Sequence, residues 1–331
     1  MPQTTIILGA GASADFGMPL GSALYEHALR QLRSFYSEIT DIQRNDPFFD
    51  LNKCRAWAAQ NSFRDCLFNT LTTEKGFDPK RVKSLVALMG SAPAYSIDTL
   101  AMENPEHLGL CRAMVAELIT AGVRKQIRFD EGEGREVWNF ELRSVRAGAD
   151  VAPNWIHLLA SMMRNTLQAD PSHQFRFISF NYDRIVEMTL GKIWKLPTRS
   201  LGKFDDVVAF TYPHGKISWE VNSSEQSSFK PLQSEIVFAH NKDDLTSFET
   251  AISFLDEADV IIALGFHFAP ENVRSLSLGR RAMGKRLIYQ NYANNRGLDE
   301  RVGRLGVVDP RKFSGSIADA IVQGELGELP V

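Results

Sequence analysis

The chain has little of what marks a metal-bound, secreted or nucleic-acid-binding protein. It holds three cysteines, Cys54, Cys66 and Cys111, with no Cys-x-x-Cys pair and no histidine at ligand spacing beside them. That pattern predicts no zinc site and excludes a disulfide framework. Three thiols cannot pair fully, and free thiols fit a reducing cytoplasm, which is the expected location. No apolar run approaches the roughly 20 residues that span a bilayer, and no charged-then-apolar leader opens the chain, so neither membrane segment nor secretion is expected. An excess of charge is missing too. Lys+Arg 37 against Asp+Glu 40 leaves a net charge of -3, and no global basic field argues for direct contact with nucleic acid.

What remains is a chain of 331 residues, 44% of them hydrophobic, long enough to bury one large core or two. Near its start Thr4-Thr5-Ile6-Ile7-Leu8 is a β-branched run of the kind a sheet buries on both faces, and it passes directly into Gly9-Ala10-Gly11-Ala12-Ser13. Strand, glycine turn and helix start together suit a nucleotide phosphate. Gly9 permits the turn, Gly11 lets backbone N–H groups approach a pyrophosphate, and Ser13 adds a hydroxyl donor. The third glycine of the dinucleotide fingerprint is absent, since Ser13-Ala14 stand in its place and the next glycine is Gly17. Without a ligand, the same residues are a strand ending in a turn.

From Leu20 to Arg164 the pattern is helical, at Ala56 to Leu71, Lys80 to Met89 and His107 to Lys125. Pro19 suits the first turn of an earlier helix with Tyr25, Ala28, Leu29 and Leu32 on its apolar face. Ser96 reads as a helix cap with Asp98 in the first turn, and residues 129–154 read as a loop. Strands resume at Phe175 to Phe180, which ends in Asn181-Tyr182-Asp183-Arg184. Val207 to Tyr212 ends in Pro213-His214-Gly215, and Ala258 to Leu264 ends in Gly265-Phe266-His267. Arg286 to Gln290 ends at Asn291. Glu235 to His240, after a polar loop at 221–228, and Gly306 to Val308 complete the set before a helix over Ser316 to Gln323. Strands alternating with helices predict an α/β fold: a doubly wound, Rossmann-like parallel sheet over residues 1–20 and 170–331, with a large helical insertion over 21–169 after the first strand.

In an open parallel sheet, ligands bind outside the carboxyl ends of the strands. The five polar strand ends Gly9 to Ser13, Asn181 to Asp183, His214-Gly215, Gly265 to His267 and Gln290-Asn291 are therefore expected at one crevice. These residues carry a resemblance. Gly9-Ala10-Gly11-Ala12-Ser13 with Gly17-Met18-Pro19, then Asn181-Tyr182-Asp183, His214-Gly215 and Gly265, resemble the successive motifs of the sirtuin superfamily. The branch they resemble is that of the sirtuin-like NAD hydrolases of bacterial antiphage defence, for which Ser96-Ile97-Asp98 and Asn181-Tyr182-Asp183-Arg184 are typical.

The resemblance implies an NAD glycohydrolase. NAD is the substrate, Gly9, Ala10, Gly11, Ala12 and Ser13 hold its pyrophosphate, Gly265 and His267 border it, and Asn291 or a neighbour bonds the adenosine ribose. Asn181 and His214 face the nicotinamide ribose, and Asp183 orients His214 or caps the following helix. It also implies self-association and gating by a partner, such as an ATPase encoded beside it. The chain departs from protein-deacylating sirtuins. They carry a four-cysteine zinc module between the histidine and the later glycine motif, where this chain has no cysteine. Leu20-Gly21 replace their Phe-Arg, and His267 replaces the serine of their Gly-Thr-Ser. NAD-dependent deacylation and a non-catalytic NAD or ADP-ribose sensor are the alternative readings.

Overall fold

The computed structural model describes residues 1–46, 50–73, 76–91, 96–124, 127–130, 135–138, 154–195, 203–220, 230–232, 236 and 246–326. The chain divides into two compact units, one made of Met1–Met18, Gln126–Lys216 and Lys242–Val331, the other of Pro19–Lys125 and Ile217–Asn241.

The first unit is built on six strands: β1 (Gln3–Leu8), β2 (Gln174–Ser179), β3 (Val208–Thr211), β4 (Val260–Leu264), β5 (Arg286–Gln290) and β6 (Arg311–Phe313). All pairings are parallel, in the order β3-β2-β1-β4-β5-β6. This is the doubly wound Rossmann-like order, and its switch point lies between β1 and β4, where the chain leaves one half of the sheet for the other. β1 and β4 are buried along their whole length, as strands covered by helices on both faces must be. Ile6 pairs with Phe177 of β2 on one side and Ile262 of β4 on the other. One apolar cluster joins Ile7, Ile178, Ile261 and Leu287 of the sheet to Leu255, Leu278, Leu298 and Val302 from the covering helices.

The unit boundaries fall elsewhere than 20 and 170. The helix Trp155–Ala169 belongs with the sheet, because Trp155, Ile156, Leu159 and Met163 are buried and the helix packs on Ile185–Lys195 and Ile317–Val322. The stretch 129–154, read as loop, begins inside an antiparallel pair, Ile127–Asp130 with Arg135–Trp138. The last strand is Arg311–Phe313 rather than Gly306 to Val308. Gly306 and Asp309 both take positive φ, at 71° and 51°, and Val308 is 86% exposed, so that apolar stretch is a turn. The strand at Glu235 to His240, apart from buried Ile236, and the polar loop at 221–228 lie outside the described residues.

The second unit is mainly helical. The run Ala56 to Leu71 is two helices, Leu51–Ala58 and Ser62–Leu71, because the Asn61 side chain accepts from the N–H groups of Phe63 and Arg64 and starts a new one. Ser96 caps Ile97–Glu103 as expected, and the helix after Pro19 spans Gly21–Asn45, with Pro19 ahead of its cap residue Leu20. Burial, then Asp50, pushes the Cys54 thiol up to about 11, and burial, then Asp98, pushes Cys111 up to about 12. These thiols stay protonated and inert at neutral pH.

At the amino end of the sheet His173 is fully buried, with Nε2 3.0 Å from Thr4 Oγ1 and Nδ1 lacking a hydrogen-bond partner among the described residues. Desolvation lowers its pKa, opposed by Asp170 and Asp259. The unfolded chain therefore binds the extra proton first. The neutral-imidazole contribution is complete above about pH 6.5 and is lost as pH falls below it toward the folded value. Melting temperature should fall between pH 7 and pH 5, and His173→Gln should reduce that slope. Taking the difference between wild type and variant cancels the contribution of Asp183, whose raised pKa acts with the opposite sign. Equal slopes would show that another group sets the acid limit.

Candidate functional site

Because all six strands are parallel, their carboxyl ends share one edge, and the five polar strand ends lie there together. At the switch point β1 runs into Gly9, the cap residue of a five-residue helix, Ala10–Ala14. The Gly9 N–H donates to Leu264 O at 3.0 Å and the Gly11 N–H to Gly265 O at 3.1 Å, extending the β1–β4 contact beyond the strands. Gly265 takes φ 58°. A Cβ on Gly9 would stand 2.6 Å from Phe266 Cα, one on Gly11 2.8 Å from Gly265 Cα, and one on Gly265 would overlap the Ala12 nitrogen. The missing side chain of Gly11 also admits the backbone of the β4 turn, to which its own N–H donates.

Beside this interlock Asn181 is 6% exposed. Its Nδ2 donates to Gly9 O and to Ser13 Oγ, both at 2.9 Å. A carbonyl can only accept, so the amide nitrogen must face Gly9 and the oxygen must face away. That oxygen, Oδ1, has no hydrogen-bond partner among the described residues. The Ser13 hydroxyl in turn donates to Asp183 Oδ1 at 3.1 Å, and the same oxygen accepts from the Ile185 N–H at 3.1 Å, at the start of the helix Ile185–Lys195. Asp183 is buried, and desolvation holds its pKa above the ordinary carboxylate range, while Ser13 and Ile185 pull it down. These contacts are the loop-holding and capping arrangement, one of the two roles read for this residue.

His214 follows β3 and is buried among aromatic rings. Phe180 meets it edge-on at 4.9 Å, and Tyr182 and Phe248 lie at 6.4 and 6.3 Å. Gly215, at φ 72°, returns its N–H to Tyr212 O at 2.8 Å and turns the chain sharply behind the imidazole. The loop is braced from the neighbouring helix: Glu187 Oε2 accepts from the Tyr212 hydroxyl at 2.9 Å and from Arg184 Nε at 2.6 Å. The sequence places Arg184, Tyr212 and Phe180 at strand ends but gives no role to Glu187 or to the Phe248 wall. A carboxylate in the first turn of Ile185–Lys195 is the available sign.

The other two candidates are placed differently. His267 is exposed by surface area, yet crowded enough that desolvation, then Arg301, lowers its pKa. The chain beyond it returns to the core through Phe268, held at φ 51° between Phe266 and Tyr289. Asn291 spends its side chain inside the protein, donating to Asn295 O and Asp299 Oδ1 and accepting from the Asn295 N–H at 2.7 Å. Its described contacts close the 291–295 turn. Among the described residues no group of three or more His, Cys, Asp or Glu side chains is placed to hold a metal ion.

No protein-family model matches the chain, and no curated protein matches it. Among solved structures, one of a mutant Sir2 homologue in complex with 2'-O-acetyl ADP ribose aligns over 97% of this chain and 89% of that chain, at 14% sequence identity and a TM-score of 0.43. A structure of Sir2Tm bound to a propionylated peptide aligns over 100% and 94%, at 14% identity and a TM-score of 0.37. At such scores neither structure transfers a residue's role to this chain.

Proposed function

We propose that the protein cleaves the nicotinamide ribosyl bond of NAD, releasing nicotinamide and ADP-ribose. The observation that carries this reading is the buried, unmatched Asn181 Oδ1, held rigidly at the switch point of the sheet by Gly9 and Ser13, at the same strand-end edge as His214. An unmatched buried acceptor costs about 1–3 kcal/mol. A ribose hydroxyl or a water would satisfy it, and the sequence resemblance supplies NAD as the molecule that brings them.

Asn181 then positions the attacking water or the ribose, and His214 accepts a proton. The carbon–nitrogen bond breaks with its electron pair leaving on nicotinamide, the water oxygen bonds to the ribosyl carbon, and the water proton passes to the imidazole. The nicotinamide ring already carries positive charge, so no general acid is needed. The aromatic rings around His214 keep bulk water off the imidazole. The defence role, self-association and gating by a partner ATPase belong to this proposal on the strength of the resemblance, and a cytoplasmic location on that of the unpaired cysteines; an unregulated NAD hydrolase would be toxic to its own cell.

The test is nicotinamide release from NAD by the purified full chain, alone and with a candidate partner such as any ATPase found encoded beside it. The expected result is one ADP-ribose per nicotinamide, with turnover rising on assembly. Bound but intact NAD under both conditions would instead make this a sensor. Acetyl-lysine peptide consumed one-for-one with NAD, or stoichiometric zinc in the protein, would make it a deacylase.

A further inference from the structure

One run of hydrogen bonds joins the carboxyl ends of five strands. Asn181, after β2, donates to Gly9 and Ser13 after β1. Gly11 donates to Gly265 O after β4 at 3.1 Å. The Gly265 N–H donates to Gln290 Oε1 at the end of β5 at 2.9 Å, and Gln290 Nε2 donates to Gly315 O after β6 at 2.9 Å. The Gly315 N–H returns to Tyr292 O at 3.4 Å.

Gln290 is the side chain that ties two turns of positive φ, Gly265 at 58° and Gly315 at 88°. It is 8% exposed and ends a strand whose three preceding residues, Leu287, Ile288 and Tyr289, are buried. An apolar residue there would pack the sheet equally well. What the amide adds is a partner for each turn, with its acceptor and its donor both used. By holding the Gly265 N–H it fixes the same peptide turn whose carbonyl takes the Gly11 N–H, and so it sets where the β4 turn lies against the β1 turn.

We propose that Gln290 is a positioning residue for the phosphate-bearing, ADP-ribose end of the substrate. It reaches the ligand through the Gly265 and Gly315 turns and lies apart from the Asn181 and His214 chemistry. The inference rests on the NAD reading above.

Gln290→Leu keeps the volume and removes both hydrogen bonds, while Gln290→Glu keeps an acceptor for the Gly265 N–H and sets a carboxylate against the Gly315 carbonyl. On the full chain, ADP-ribose affinity is read by calorimetry beside steady-state nicotinamide release and melting temperature. Gln290→Leu should raise the ADP-ribose Kd and the NAD KM about 10-fold with kcat nearly constant, as loss of a hydrogen-bonded clasp predicts. Gln290→Glu should lie between it and wild type. A lower melting temperature with the wild-type Kd, or a fall in kcat at unchanged KM, would overturn the role. If Gln290→Leu does not fold, Gln290→Glu carries the same reading. Failure of the wild type to bind ADP-ribose overturns the NAD proposal together with this one, whereas wild-type binding that both variants retain overturns the positioning role alone.

Discussion

Nicotinamide release should fall by about 100-fold to 10,000-fold in His214→Ala, the usual loss when a general base is removed. The imidazole packs edge-on against Phe180 and makes no strand pairing, so its removal leaves the sheet intact and the variant should still bind NAD. Asn181→Ala should lose turnover to a similar extent, and it also removes one hydrogen bond each from the Gly9 carbonyl and the Ser13 hydroxyl, which keep their bonds to the Ala12 N–H and to Asp183. Its interpretation therefore requires circular dichroism and a melting curve beside the assay. Near wild-type turnover by either folded variant, under the conditions that activate the wild type, would remove that residue from the mechanism.

The largest effect on stability is expected from Gly265→Ala. Positive φ costs an L-residue roughly 1–2 kcal/mol, and the new methyl group would overlap the Ala12 nitrogen and the Gly11 backbone, where overpacking adds about 1–3 kcal/mol. Together these come to about 2–5 kcal/mol, a large fraction of the roughly 5–15 kcal/mol that holds a domain folded. Gly284→Ala is the internal control, because Gly284 has φ 75° but open space around its would-be Cβ. Chemical denaturation should show Gly265→Ala losing at least twice as much as Gly284→Ala. Equal losses would mean that conformation alone, not the interlock of the two turns, makes glycine necessary.

The sheet was legible because burial on both faces leaves an apolar, β-branched signature, as in Ile6 to Leu8 and Val260 to Leu264. The strand near the end of the chain misled for the same reason. Val307 and Val308 look like strand residues, yet the glycine before them and Asp309 after them bend the chain into a turn. At the site, the polar strand ends were readable because parallel pairing alone brings them to one edge. The close fit of Gly11 against the β4 turn, the clasp of Gln290 and the inward turn of Asn291 were not readable. Each depends on which loop abuts which, and Gly11 meets Gly265 across about 250 residues of intervening chain, a distance at which local pattern carries no information.

The central place of β1 also has a consequence during synthesis. Its partners are β2 and β4, with Thr4 opposite Phe175 and Val260. At a translation rate of about 5–20 residues per second, this apolar strand waits roughly 10–50 seconds before its second edge can be covered. The glycine interlock forms only after that, since Gly265 is made later still. A nascent or truncated chain ending before β4 would lack half of the glycine interlock and would leave one edge of β1 open to edge-to-edge aggregation.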